Sequence, residues 1–144
     1  MKTIVLITGG FDPIHSGHIS YINAAKKLGD ILVVGVNSDD WLRRKKGQEF
    51  MPSYERINII QNLKAVDHCI LFNDTENHAI EAIRNVKIMY PDHHIIFANG
   101  GDRTAENIPE MSISGVEFVF GVGGDYKKNS SSQLLKKWSD LDRE

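Results

Sequence analysis

The apolar positions along the chain change period from one segment to the next. Ile4-Val5-Leu6-Ile7 is an unbroken aliphatic run, the pattern of a strand covered on both faces. Over residues 18–28 the spacing becomes helical, through Ile19, Ile22, Ala25 and Leu28, and Gly29 is placed to end that helix. Residues 31–36 form a second buried run. The polar, basic stretch from Asn37 to Met51 shows no apolar period. Residues 53–63 are helical again, with Ile57, Ile60 and Leu63 on one face and Ser53 as the N-cap. A third strand is predicted over residues 69–72 and a helix over 77–86, through Ile80 and Ile83. Pro91-Asp92 turns the chain into a fourth strand at 94–98, a fifth follows at 116–120, and a helix closes the chain from about residue 131.

Strand alternating with helix through short links predicts an α/β fold with a five-stranded parallel sheet. Neither repeats nor a linker interrupt it, so residues 1–144 are expected to form one domain. In such sheets ligands bind beyond the carboxyl ends of the strands, where the topology switches. Conspicuous polar groups fall there, at residues 9–18, 37–40, 73–75 and 99–103.

Composition narrows the function classes. Lys and Arg number 17 against 19 Asp and Glu, a net charge of -2. That balance argues against nucleic acid or an anionic membrane as partner, since both need a basic surface. Cys69 is the only cysteine, which excludes an in-chain disulfide and a multi-thiolate zinc site. No apolar run is long enough to span a membrane. The N-terminal run breaks at once into Thr8-Gly9-Gly10, so it is expected to be the first strand of a cytoplasmic protein and not a secretory signal.

The strongest chemical signal is Gly9-Gly10-Phe11-Asp12-Pro13-Ile14-His15-Ser16-Gly17-His18, between the first strand and the first helix. Glycines admit a ligand close to backbone amides, and a helix start offers unpaired N–H groups and a positive dipole end. His15 and His18 add side-chain donors across the turn, and Gly17 keeps the space between them clear. The set suits negative charge developing on a phosphate chain. It lacks the Gly-Lys-Ser/Thr ending of a P-loop and the spacing of a dinucleotide fingerprint. The competing reading of the two histidines alone is a helix-start cap pair or a metal pair.

This signature resembles that of the cytidylyltransferase-like nucleotidyltransferases, which share the H-x-G-H of class I tRNA synthetases. The likeness continues through residues 18–39, Lys45-Lys46-Gly47, the 53–66 helix with Arg56, Gly100-Gly101-Asp102 and Ser130-Ser131-Ser132. Glycerol-3-phosphate cytidylyltransferases and heptose-1-phosphate adenylyltransferases are the most similar in pattern. The resemblance implies a Rossmann-like three-layer α/β/α domain. It further implies transfer of a nucleoside monophosphate from a nucleoside triphosphate to a phosphorylated small molecule, with release of pyrophosphate. Mg2+ would be held mainly by the phosphates, with no metal site built by the protein. Catalytic roles fall on His15, His18, Lys45 and Lys46. Nucleotide-binding roles fall on Gly9, Gly10, Phe11, Asp12, Gly17, Gly100, Gly101, Asp102, Arg103, Ser130, Ser131 and Ser132. Asp39 and Arg56 are expected at the acceptor, and relatives often form homodimers.

Several segments carry two readings. Arg43-Arg44-Lys45-Lys46 is a solvated charge run or a phosphate clamp, with Lys45 the first choice and Lys46 the second. Three serines after Lys127-Lys128-Asn129 exceed what one helix cap needs and suit a second anion site for the β- and γ-phosphates. Relatives carry an arginine just before that Ser/Thr pair; here Lys127 or Lys128 stands near its place. Residues 99–103 make a nucleotide pocket or a tight turn. Asp12 binds nucleotide or caps the turn. Trp41 lines an acceptor pocket or is a half-buried aromatic. Cys69 is expected to be an inert thiol, His93 and His94 surface residues, and His78 a helix residue without a spaced partner. Phe72-Asn73-Asp74-Thr75 leans the substrate reading toward ATP and a heptose-1-phosphate-like acceptor. CTP with glycerol-3-phosphate, and a non-catalytic nucleotide sensor, are the alternatives.

Overall fold

The computed structural model of the chain describes residues 1–101, 108–123 and 130–141. Five strands, β1 (Thr3–Gly9), β2 (Ile31–Val36), β3 (His68–Leu71), β4 (His94–Ala98) and β5 (Glu117–Val119), form one sheet in the order β3-β2-β1-β4-β5. Every pairing is parallel. The order reverses at β1, whose carboxyl end is therefore the switch point at which a ligand crevice opens.

Alternation along the strands builds two cores. Val5, Ile7, Leu32, Val34 and Ile96 face α1 (Ser16–Lys26) and α3 (Ser53–Gln61), meeting Ile22, Ala25 and Ile60. Ile4, Leu6, Val33, Ile95 and Phe97 face α4 (Ile80–Met89), meeting Ala82, Ile83 and Val86. The result is the expected three-layer Rossmann-like sandwich. Val5 pairs with Leu32 and Ile96, and Ile7 with Val34. A one-residue slip would exchange the two cores, so burial on both faces sets the register.

Two further helices complete the fold: α2 (Asp39–Lys46) and α5 (Ser131–Leu141), with a 3-10 turn at Pro109–Ser112. Helix α2 lies in the stretch that shows no apolar period. It buries only Leu42, so hydrophobic spacing could not mark it. Its marks are chemical: Ser38 Oγ caps the Trp41 N–H at 3.0 Å, Asp39 and Asp40 open the first turn, and four cations close the last. Gly47 ends it at φ 93°.

Three smaller expectations are corrected. The C-cap of α1 is Lys27, not Gly29. Gly29 is needed for space, because a Cβ there would lie 2.8 Å from Val5 Cγ2 and 2.9 Å from the Thr3 carbonyl oxygen. Pro52, not Ser53, is the N-cap of α3. Helix α4 begins at Ile80, and residues 77–79 form the turn that precedes it.

Candidate active site

The H-x-G-H turn leaves β1 and starts α1. His15 is the N-cap, and its Nδ1 accepts the Gly17 N–H at 3.1 Å. His18 returns the bond: its Nδ1 accepts the His15 N–H at 3.2 Å. This is a capping box built from two imidazoles. An amide N–H can only donate, so each Nδ1 is an acceptor and each neutral ring carries its proton on Nε2. The rings stack with centroids 3.8 Å apart, and Phe11 sets its edge against His18 at 5.0 Å. The helix-start cap pair is therefore what the two histidines form: Nδ1 serves the helix, and Nε2–H is the donor of each neutral ring. Gly9 is required beneath it, since a Cβ would come within 2.9 Å of the Phe11 ring.

Asp12 points into the protein, against the link between α2 and α3. It is 2% exposed, and its carboxylate accepts the N–H groups of Phe50 at 2.7 Å and Met51 at 2.6 Å. Lys46 Nζ donates to the Asp12 carbonyl at 2.6 Å and lies 3.0 Å from Oδ2. Asp12 and Lys46 together fasten the link between α2 and α3 to the H-x-G-H turn. Arg56, expected at the acceptor, is also inside, at 1% exposure. It donates to the carbonyls of Met51 at 2.9 Å, Gly10 at 2.8 Å and Asn37 at 2.7 Å, and to Asp39 Oδ1 at 2.7 Å. Arg56 and Asp39 brace three loops against one another. The structure therefore gives Asp12, Arg56 and Asp39 scaffold partners.

The four-cation run resolves in the same way. Arg43 forks onto Glu49 at 2.7 and 3.0 Å and reaches Asp40 at 2.9 Å. The hydrogen bond from Arg43 holds the Glu49 carboxyl below its usual range. Arg44 donates to the Asp74 carbonyl at 2.9 Å and to Asn77 Oδ1 at 3.0 Å. Lys46 holds Asp12. Lys45 lies with Nζ 4.7 Å from the Trp41 ring centroid and lines a cavity.

That cavity has a volume of about 370 Å3 and opens at the carboxyl ends of β1, β2 and β3. Gly9 and Gly10, from which the H-x-G-H turn departs, and Lys45 are part of its lining. Trp41 and Phe72 supply aromatic surface; Asn37, Asn77, His78 and Glu110 supply polar groups. Asp74, 4% exposed, braces it by accepting from Asn37 Nδ2 at 3.0 Å, the Ser38 N–H at 2.8 Å and Ser38 Oγ at 2.7 Å. His78, set aside at the sequence level, and Glu110, which drew no attention there, both belong to this cavity. The signal for His78 is its place beyond β3, on the sheet edge that already carries Gly9 and Asn37.

On the other side of β1, Ser130 caps α5 by accepting the Gln133 N–H at 3.0 Å. Ser131 Oγ donates to the Pro13 carbonyl at 2.8 Å, which brings the start of α5 to the H-x-G-H turn. Ser132 is exposed. Gly100 and Gly101 follow β4, and a Cβ on Gly100 would meet the Tyr21 ring at 2.9 Å. Asp102, Arg103, Lys127 and Lys128 lie outside the described residues. Cys69 is half-buried, and burial pushes its thiol up to about 11, which keeps it unreactive. His94 is on the surface, 2.7 Å from Glu117. Among the described residues no helix is long and apolar enough to cross a membrane.

Comparison with known proteins agrees with this fold. A protein named bifunctional protein HldE from a Nitratiruptor species is 35% identical over 83% of this chain. The HldE of Citrifermentans bemidjiense is 38% identical over 94% of it. The chain spans only 26% and 27% of those two proteins. A lipopolysaccharide core biosynthesis protein from Thermoplasma volcanium has a TM-score of 0.66 and 30% identity, covering 90% of this chain and 100% of that one. A bifunctional NMN adenylyltransferase/ADP ribose pyrophosphatase from Francisella tularensis, solved with AMP and a manganese ion, shares the fold at a TM-score of 0.68 and 15% identity, over 97% of this chain and 42% of its own. The cytidylyltransferase-like family matches residues 6–136, nearly the whole sheet and its helices, and this chain belongs to that family.

Proposed function

We propose that the protein transfers AMP from ATP to a phosphorylated sugar of the heptose-1-phosphate type and releases pyrophosphate. The observation that carries this reading is the meeting of two helix starts at one turn, joined by the bond from Ser131 to the Pro13 carbonyl. Helix starts attract anions, and a triphosphate is long enough to engage both. An oxygen of the acceptor phosphate forms a bond to the α-phosphorus, the bond from that phosphorus to the bridging oxygen breaks, and pyrophosphate leaves with the electron pair. The Nε2–H groups of His15 and His18 stabilise the charge that builds on the α-phosphate, with Lys45 on the acceptor side.

A divalent cation supplies further charge neutralisation when bound. No group of three His, Cys, Asp or Glu among the described residues could hold one, and both Asp12 oxygens are engaged. Triphosphate oxygens are the donor set that fits, as Mg2+ prefers. The choice of ATP and a sugar phosphate rests on the resemblance of residues 72–75 and 100–102 to heptose-phosphate adenylyltransferases. Pyrophosphate release, measured with ATP and CTP against heptose-1-phosphate and glycerol-3-phosphate, tests it. ATP with the heptose phosphate is expected to be fastest. A faster CTP and glycerol-3-phosphate pair, or triphosphate binding with no release from any pair, overturns the reading.

A further inference from the structure

We propose that the cavity between α2 and the start of α4 holds the hydroxylated carbon body of the acceptor, with Trp41 as its flat wall and Asn77 and His78 as donors to its hydroxyls. The assignment of the ligand as an acceptor rests on the transferase reading above. Three observations support the chemistry. First, the lining includes Lys45 together with Gly9 and Gly10, where the H-x-G-H turn departs, so a molecule whose phosphate lies near Lys45 extends into the cavity. Its volume of about 370 Å3 suits one small molecule.

Second, the polar groups have settled roles. His78 Nδ1 accepts the Ile80 N–H at 3.3 Å, so its neutral ring carries the proton on Nε2. Asn77 Oδ1 accepts from Arg44 Nε at 3.2 Å and Nη2 at 3.0 Å, which orients the side-chain amide and commits its oxygen, so that its NH2 is the group left to donate. Both are therefore donors, and hydroxyl oxygens are their natural acceptors. Third, the Trp41 indole faces the same space. A sugar has an apolar C–H face and a rim of hydroxyls, and an aromatic wall beside fixed donors matches both. A short polyol phosphate would leave the far donors without partners.

Two readouts test this. In steady-state kinetics, W41A and H78S are expected to raise the KM for a sugar 1-phosphate about tenfold, as loss of one stacked face or one neutral hydrogen bond predicts. Serine at position 78 keeps an oxygen for the Ile80 amide, so α4 retains its start. The KM for ATP and the melting temperature are expected to stay put, and W41F to restore most of the loss. The second readout does not depend on turnover. In a W138F background Trp41 is the only tryptophan, and its emission is expected to respond saturably to sugar 1-phosphates but not to inorganic phosphate or ATP alone. Equal shifts in both KM values, an unmoved acceptor KM, or a Trp41 response to ATP alone overturns the proposal. A saturable Trp41 response without transfer to any acceptor would overturn the transferase reading while keeping the cavity's ligand class.

Discussion

Arg56 is the largest fully buried side chain among the described residues, and it is charged. A buried guanidinium is costly unless its donors are paired; here four bonds to three carbonyls and Asp39 pair it. Replacing it by Met strands those acceptors, so R56M is expected to lower stability by about 3 kcal/mol in urea unfolding. R56K cannot restore the fork and should recover only part of that. His18 separates function from folding at the same scale. H18A is expected to cut turnover by at least about a hundredfold, as loss of an oxyanion donor does. H18Q keeps an acceptor at the N3 position of the capping box, so it should recover α1 stability while turnover stays low. Near-normal turnover in either variant would remove His18 from the chemistry. The H-x-G-H turn was legible in the sequence because its residues are contiguous. The role of Arg56 was not, because its partners Gly10 and Asn37 lie 46 and 19 positions away.

At the scale of elements, β1, β2 and β4 were legible because burial on both faces leaves nearly unbroken apolar runs. Helix α2 was not, because its stability comes from a cap, a charge gradient and a terminal glycine. That makes Gly47 its exposed weakness. A Cβ there would meet nothing within 4 Å, so only backbone strain at φ 93° opposes a side chain. G47A is expected to cost about 1 kcal/mol in thermal or urea unfolding, the penalty of a left-handed position for an L residue. The same helix explains why the charge run could not be divided from sequence. Four adjacent cations at helical spacing point in four directions, and each finds a different place: Glu49, the Asp74 turn, the cavity and Asp12.

For the whole molecule, the contact from Ser131 to Pro13 joins positions 118 residues apart. S131A is expected to raise the KM for the triphosphate about fivefold, as loss of one hydrogen bond predicts, with the melting temperature little changed; steady-state kinetics checks it. The strand order was expected only as a parallel sheet with a switch point, since pairing between distant segments leaves no local mark. That order has a consequence for inheritance. Every residue lining the cavity except Glu110 precedes β4, whereas Gly100, Gly101 and α5 follow it. A single recombination junction within β4 would therefore pass the acceptor pocket and the far side of the crevice to different descendants. Chimeras joined there are expected to mix one parent's acceptor with the other's nucleotide.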